Sequence, residues 1–336
     1  MSRSHVTIRD VAAYAGVSHQ TVSRVMNGSE RVSAATKARV EAAIAALGYQ
    51  PSAIARSMAS GRTGLLACLA PNLTDYTFAS MIDGAEMAAR QRGYFLLSAS
   101  AQDEQTFAAL VAQLIASRQV EGVMVIDPYV DGRFQHLLPD FPTVFAGARP
   151  HDTASNSVSL DDVQVGQTAT AHLLRQGHRR IALVTGVLGE NCAQDRKVGY
   201  EAALRAAGLQ IEPDLIVAGN WQARSGYDAL MHFAQSGSLP DAIFAQNDQM
   251  AVGVLRAARE LGIKVPSQLA VIGVDDIPLA AYFEPPLTTL RQDFARIGQE
   301  AANLLIQAVE QPTGLHQHVQ LSATLIVRQS TGAVAA

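Results

Sequence analysis

The stretch TIRDVAAYAGVSHQTVSRVMNGSERVS, Thr7–Ser33, decides how the N-terminal part of this chain folds. Ile8, Val11, Ala12 and Ala15 recur at helical spacing. Thr7 precedes them as a cap, Asp10 stands three residues on as its capping-box partner, and Gly16 closes the segment. Ser18 caps a second helix from about His19 to Met26, with Val22 and Val25 on its inner face and Asn27-Gly28 ending it. Ser33 starts a third, with Val40, Ile44 and Leu47 on one face and Gly48 past the last turn. Two short helices across the turn Gly16-Val17-Ser18, buttressed by a third, make an all-α helix-turn-helix head.

Such a head reads DNA when the N-terminal end of its second helix carries polar side chains outward and apolar ones inward. His19, Gln20 and Arg24 meet the first condition, Val22 and Val25 the second. Gln can read adenine bidentately and Arg can read guanine. Thr7, Ser18, Thr21, Ser23, Asn27 and Arg31 are better placed for phosphates, which set register without carrying sequence information. An ordinary solvated helix face is the plainer alternative, above all for His19. Charge weighs against it. Residues 1–62 hold eight Lys/Arg against three acids, a balance of +5, while the whole chain is at −4 and the remainder therefore at −9. A basic head on an acidic body is the footprint of a nucleic-acid-binding module joined to another function.

Pro51 suits the first position of a further short helix, PSAIARSMAS, too short to be stable alone, and Ser60-Gly61-Arg62-Thr63-Gly64 reads as a linker. Apolar runs then alternate with helical stretches. The runs are LLACLA (65–70), YFLLSAS (94–100), GVMVI (122–126), TVFAG (143–147), IALVTG (181–186), DLIVAG (214–219), AIFAQ (242–246) and LAVIGV (269–274). This pattern predicts parallel sheets with helices on both faces, arranged as two α/β lobes of roughly four βα units each, with ligand at the strand carboxyl ends between them. The expected divisions are a head over 1–50, a hinge and linker over 51–61, and a two-lobed body over 62–332. Lobe 1 takes about 62–160 and 293–322, lobe 2 about 161–292 and 323–332.

The head, together with ATKARVEAAIAALGYQPSAIARSM (35–58), resembles the lactose-repressor (LacI/GalR) family, and the body resembles that family's periplasmic-binding-protein-like core. The resemblance implies a homodimeric repressor that grips a pseudo-palindromic operator and is controlled by a small-molecule effector, a mono- or disaccharide. It makes His19, Gln20 and Arg24 the base readers. It also makes 51–59 a hinge helix whose Ala55 and Met58 meet the minor groove. Met58 is the apolar wedge where the family usually has Leu, and dimer packing is the alternative. In the body it implies effector contacts at Arg196, Asn247 and Asp275, an aromatic wall at Trp221, a contribution of Asp75, Thr77 and Phe78 from the first lobe, and Gln292 with Phe294 at a crossover. Arg196 facing Asp275 would grip vicinal hydroxyls, and an indole stacks on the apolar face of a pyranose. Plainer readings stand beside these: core for Phe78 and Phe294, a helix cap for Asp75, a structural ion pair or cap for Arg196 and Asp275. Gly147 and Gln102 depart from the charged residues that sugar-binding members often have there. Both signs of control, release and promotion of DNA binding, fit the sequence, as does a purine-like corepressor.

Rival classes fare worse. A solute-binding protein would begin with an apolar leader where MSRSHVTIRDVAAYAG stands, and no run of about 18 apolar residues occurs, so the expected location is the cytoplasm. An enzyme is not expected, since neither a nucleotide loop nor a hydrolase or metalloprotease signature is present. No cofactor or metal is expected. The two cysteines, Cys68 and Cys192, read as buried small hydrophobes. The ending RQSTGAVAA lacks an apolar heptad, from which a dimer rather than a tetramer is expected.

Overall fold

The computed structural model describes residues 6–26, 28–29, 31–49, 62–126, 131–147, 156–312 and 316–332. Asn27 and the whole of 51–61, with Ala55 and Met58, lie outside the described residues. Two compact units divide at Gly64.

The first unit holds helices α1 (Ile8–Ala15), α2 (His19–Met26) and α3 (Ala34–Leu47). Both the backbone N–H and the hydroxyl of Thr7 donate to Asp10 Oδ2, at 2.8 and 2.7 Å. Ser18 Oγ accepts from Thr21 N at 3.1 Å. Gly16 takes the left-handed conformation, φ 62°, that lets Val17 N–H return to Ala12 C=O and turn the chain into α2. Val11, Ala12, Ala15, Val22, Val25, Val40 and Ala43 form a shared core.

The second unit is built on two six-stranded sheets. The first contains β1 (Leu65–Ala70), β2 (Phe95–Ser100), β3 (Gly122–Ile126), β4 (Thr143–Ala146), β5 (Asn156–Leu160) and β11 (His318–Leu321), all parallel, in the order β11-β5-β4-β3-β1-β2. The second contains β6 (Ile181–Thr185), β7 (Ile216–Ala218), β8 (Ala242–Ala245), β9 (Ala270–Asp275), β10 (Thr288–Arg291) and β12 (Thr324–Ile326), in the order β12-β10-β9-β8-β6-β7. Helices α4 (Tyr76–Gln91), α5 (Glu104–Ala116) and α10 (Phe294–Glu310) cover the first sheet. The second is covered by α6 (Asp162–Arg175), α7 (Asn191–Ala206), α8 (Ala223–Gln235) and α9 (Asp248–Glu260).

Three differences from the pattern reading have physical causes. β12 runs antiparallel to β10, so the second sheet is not wholly parallel. β5 and β10 escape an apolar search because NSVSL and TTLR are rich in polar residues, all of them buried except Arg291. Their groups are satisfied from the returning chain: Ser157 Oγ lies 3.0 Å from His318 Nδ1, Asn156 Oδ1 accepts from Gln317 N, and Thr288 Oγ1 lies 2.9 Å from Thr331 Oγ1. Finally, β11 and β12 are short edge strands supplied by the crossing C-terminal chain.

Candidate functional site

In the head, His19, Gln20 and Arg24 are exposed along α2 while Val22 and Val25 are buried beneath them. Thr7, Ser18 and Arg31 are exposed, Thr21 and Ser23 half-buried. Thr7 and Ser18 are engaged in the helix caps described above, and the Thr21 hydroxyl lies 2.9 Å from that of Ser18.

In the second unit a cleft of about 320 Å³ opens where the carboxyl ends of strands from both sheets converge. It is lined by Asp75, Thr77, Phe78, Arg196, Trp221, Asn247, Asp275, Gln292 and Phe294, bringing together all nine positions singled out from the body. Gly147 also lines it; Gln102 does not. Cys68 is buried in the core, whereas Cys192 is partly buried and lines the cleft, a correction to its reading as plain core.

Several of these side chains serve the fold as well. Asp75 caps α4, accepting from Thr77 N at 2.9 Å and Thr77 Oγ1 at 2.6 Å. Asn247 caps α9 through Oδ1 and donates from Nδ2 to Trp221 C=O at 3.0 Å, so its amide is occupied at both ends. Phe294 opens α10 just after the chain crosses between the sheets at Gln292, and meets Tyr76 edge to face at 6.3 Å. Both Phe78 and Phe294 pack into the first core while bordering the cleft.

The expected Arg196–Asp275 pair needs correcting. Arg196 makes its direct ion pair with Asp162, Nε to Oδ1 at 2.8 Å, and its Nη1 donates to Gln246 C=O at 2.6 Å. Burial works against the guanidinium charge, but Asp162, with Asp275 further off, outweighs it and keeps Arg196 firmly protonated. The Asp275 carboxyl is left with one hydrogen bond among the described residues, from Gln292 Nε2 at 3.4 Å. Burial pushes its carboxyl well above the usual carboxylate range, and Arg196 offsets this only in part.

Trp221 forms one wall, with its indole N–H donating to Glu190 Oε2 at 2.8 Å and the Arg196 guanidinium carbon 5.7 Å from the ring centroid. Gly186 lies beneath the ring. A Cβ there would come within 2.0 Å of it, so no side chain fits between indole and backbone. Burial raises Glu190 to about 7, against the opposing pull of the Trp221 hydrogen bond and Arg196.

Asp162 and Glu190 were the residues missed. Asp162 follows β5, whose polar sequence hid it as a strand. Glu190 was within reach, being an acidic residue in the loop after the evident strand IALVT.

A helix-turn-helix unit joined to a two-sheet α/β unit with a polar ligand cleft defines the class: a DNA-binding regulator with a small-molecule core. Residues 7–52 match the family described as bacterial regulatory proteins, lacI family, and residues 170–331 match the periplasmic binding protein-like domain. The ribose operon repressor of Escherichia coli (strain K12) is 36% identical over 327 residues, 96% of this chain and 99% of that one. The crystal structure of the lac repressor dimer bound to operator and the anti-inducer ONPF superposes with a TM-score of 0.91 at 30% identity, covering 98% of this chain and 100% of that one. A complex of the transcriptional regulator CelR with cellobiose gives a TM-score of 0.75 at 32% identity, covering 97% and 99%. The chain belongs to the lacI family, as a DNA-binding transcriptional repressor with an effector-binding core. Among the described residues no helix is long and apolar enough to cross a membrane.

Proposed function

We propose that this repressor works as a homodimer in the cytoplasm, binds a pseudo-palindromic operator, and is controlled by an uncharged polyhydroxylated effector, a mono- or disaccharide, held in the cleft without chemical turnover. Base reading falls to His19, Gln20 and Arg24, phosphate contacts to Thr7, Ser18, Thr21, Ser23, Asn27 and Arg31, and minor-groove contacts to Ala55 and Met58. The working divisions are a head over 1–50, a hinge over 51–61, and a body over 62–332 whose lobes exchange chain near 160, 292 and 322.

The observation that carries the effector class is the cleft's polar balance: Asp75, Asp162, Glu190 and Asp275 line it with the Arg196 guanidinium, which Asp162 already pairs, beside an indole face. An anionic ligand would find the guanidinium already paired with Asp162 and would disfavour ionisation of the neighbouring carboxyls, and an apolar one would leave buried polar groups unmatched. A sugar donates hydroxyls to carboxylates and lays its apolar face on Trp221. The volume stands at the small end of ligand sites, roughly 300–1,000 Å³, which favours a monosaccharide. The solved cellobiose complex and the ribose operon repressor support the same class.

Titration of the purified protein with D-ribose, D-glucose, cellobiose and a phosphorylated sugar, read by Trp221 emission, tests this. The expected result is a saturable change with a neutral sugar that is absent in Asp275→Ala. A response to the phosphorylated sugar alone would overturn it.

A further inference from the structure

We propose that Asp276 positions Asp275 for the effector by clamping Arg291 and Arg328, although Asp276 itself is not one of the residues lining the cleft. This rests on the reading that Asp275 meets the effector. At the end of β9 two consecutive non-glycine residues have positive φ, 114° at Asp275, its last residue, and 56° at Asp276, just beyond it, a backbone that L side chains rarely adopt unless their surroundings enforce it. The enforcement is visible on every side. Asp276 Oδ2 accepts from Arg291 Nε and Oδ1 from Arg328 Nη2, both at 2.6 Å, and its side chain is only 6% exposed. Arg328 is itself held through Nη1 by Leu287 C=O. Asp276 N donates to Thr289 Oγ1, whose own proton goes to Asp248 Oδ1, while Asp248 Oδ2 accepts from Ile277 N. Gly273 leaves room for this knot, since a Cβ there would stand 2.2 Å from Asp248 Oδ1.

The knot uses the polar groups of 276 and 277, and the side chains of Asp275 and Gln292 take no part in it. Among the described residues the Asp275 side chain has a single contact, from Gln292 Nε2 at 3.4 Å, and Gln292 Oε1 is buried with no partner, on a residue 4% exposed. Two buried acceptors held open beside a cleft by a strained, doubly clamped turn are preorganised for hydrogen-bond donors.

The experiment uses full-length protein carrying Arg328→Gln, with Arg328→Lys as the conservative variant. The Asp275 carboxyl is followed by ¹³C NMR against pH without sugar, assigned by Asp275→Asn, and D-ribose affinity is read by Trp221 emission. Loss of a positive charge alone would make Asp275 harder to ionise. Loss of positioning lets Asp275 relax into water and ionise more readily, so its titration should move to lower pH in Arg328→Gln and return in Arg328→Lys. D-Ribose affinity should fall at least tenfold in Arg328→Gln, yet less than twofold further when the change is made in an Asp275→Asn background. A titration that stays put or moves up, or affinity losses that simply add, would overturn the clamp. Should Arg328→Gln not fold, Arg291→Gln removes the arm that is 56% exposed and is read the same way. If D-ribose leaves wild-type emission unchanged, that counts against the choice of sugar, and the Asp275 titration still decides the clamp.

Discussion

The Trp221 indole N–H donates to Glu190 Oε2 across 2.8 Å, tying the aromatic wall of the cleft to a carboxyl that burial has raised to about 7. Trp221 is the only tryptophan of the chain, so its emission should follow the ionisation of Glu190. Sugar-free protein should show an emission change with a midpoint near pH 7. Glu190→Gln, which keeps an acceptor for the indole but cannot titrate, should flatten it. A transition that persists in the variant would mean another group governs the signal.

Stability should follow the same proton. Glu190 is raised above its unfolded value of 4.5, so the native state holds the proton more tightly between that value and about 7. In that window stability falls as pH rises, and the penalty is full above it. Glu190→Gln escapes the penalty. Urea unfolding at pH 5 and pH 8 should therefore show the variant gaining on wild type by on the order of 2 kcal/mol at the higher pH. A constant difference at the two pH values would contradict the assignment.

Asp162→Ala should strip the buried Arg196 guanidinium of its direct partner. Leaving one charge of a buried pair uncompensated costs about 3–5 kcal/mol, so the urea midpoint should drop sharply, and Asp162→Asn, which still accepts a hydrogen bond, should lose less. An equal loss in both variants would show that packing rather than charge holds the pair.

Gly186→Ala places a methyl where the Trp221 ring lies, and the ring must move. Sugar-induced emission change should be lost while operator binding without sugar is kept. Wild-type sugar affinity in this variant would show that the indole is not a contact wall.

How much of this was legible in the sequence differs from part to part. The head was read almost to the residue, because caps such as Thr7/Asp10 and Ser18 and the stop at Gly16 are local devices whose chemistry needs no distant partner. Strands such as LLACLA and IALVT stood out because they are buried on both faces and continuously apolar. NSVSL and TTLR did not, since their Ser, Thr and Asn groups are satisfied by chain more than forty residues away, which no local pattern reveals. The cleft residues were recognised by resemblance, but not their partnerships. Which of several carboxylates reaches Arg196 depends on how α6 and α7 pack, and that choice went to Asp162 rather than Asp275.

Arg24→Ala should weaken the preference for operator over random DNA more than it weakens salt-sensitive binding to random DNA, because base contacts specify and phosphate contacts position. The expected loss is about 1–3 kcal/mol of discrimination, read by competition binding. Undiminished preference in the variant would remove Arg24 from the base readers.

Fluorescence anisotropy of a labelled pseudo-palindromic fragment from upstream of the protein's own gene, with and without the neutral sugars of the panel, joins both halves of the account in one reading. One sugar should change operator affinity at least about fivefold, the lower end of allosteric couplings. Asp275→Ala should abolish that change while binding the fragment as wild type does without sugar. An operator affinity that no sugar alters, or a sugar response that survives in Asp275→Ala, would contradict control through this cleft.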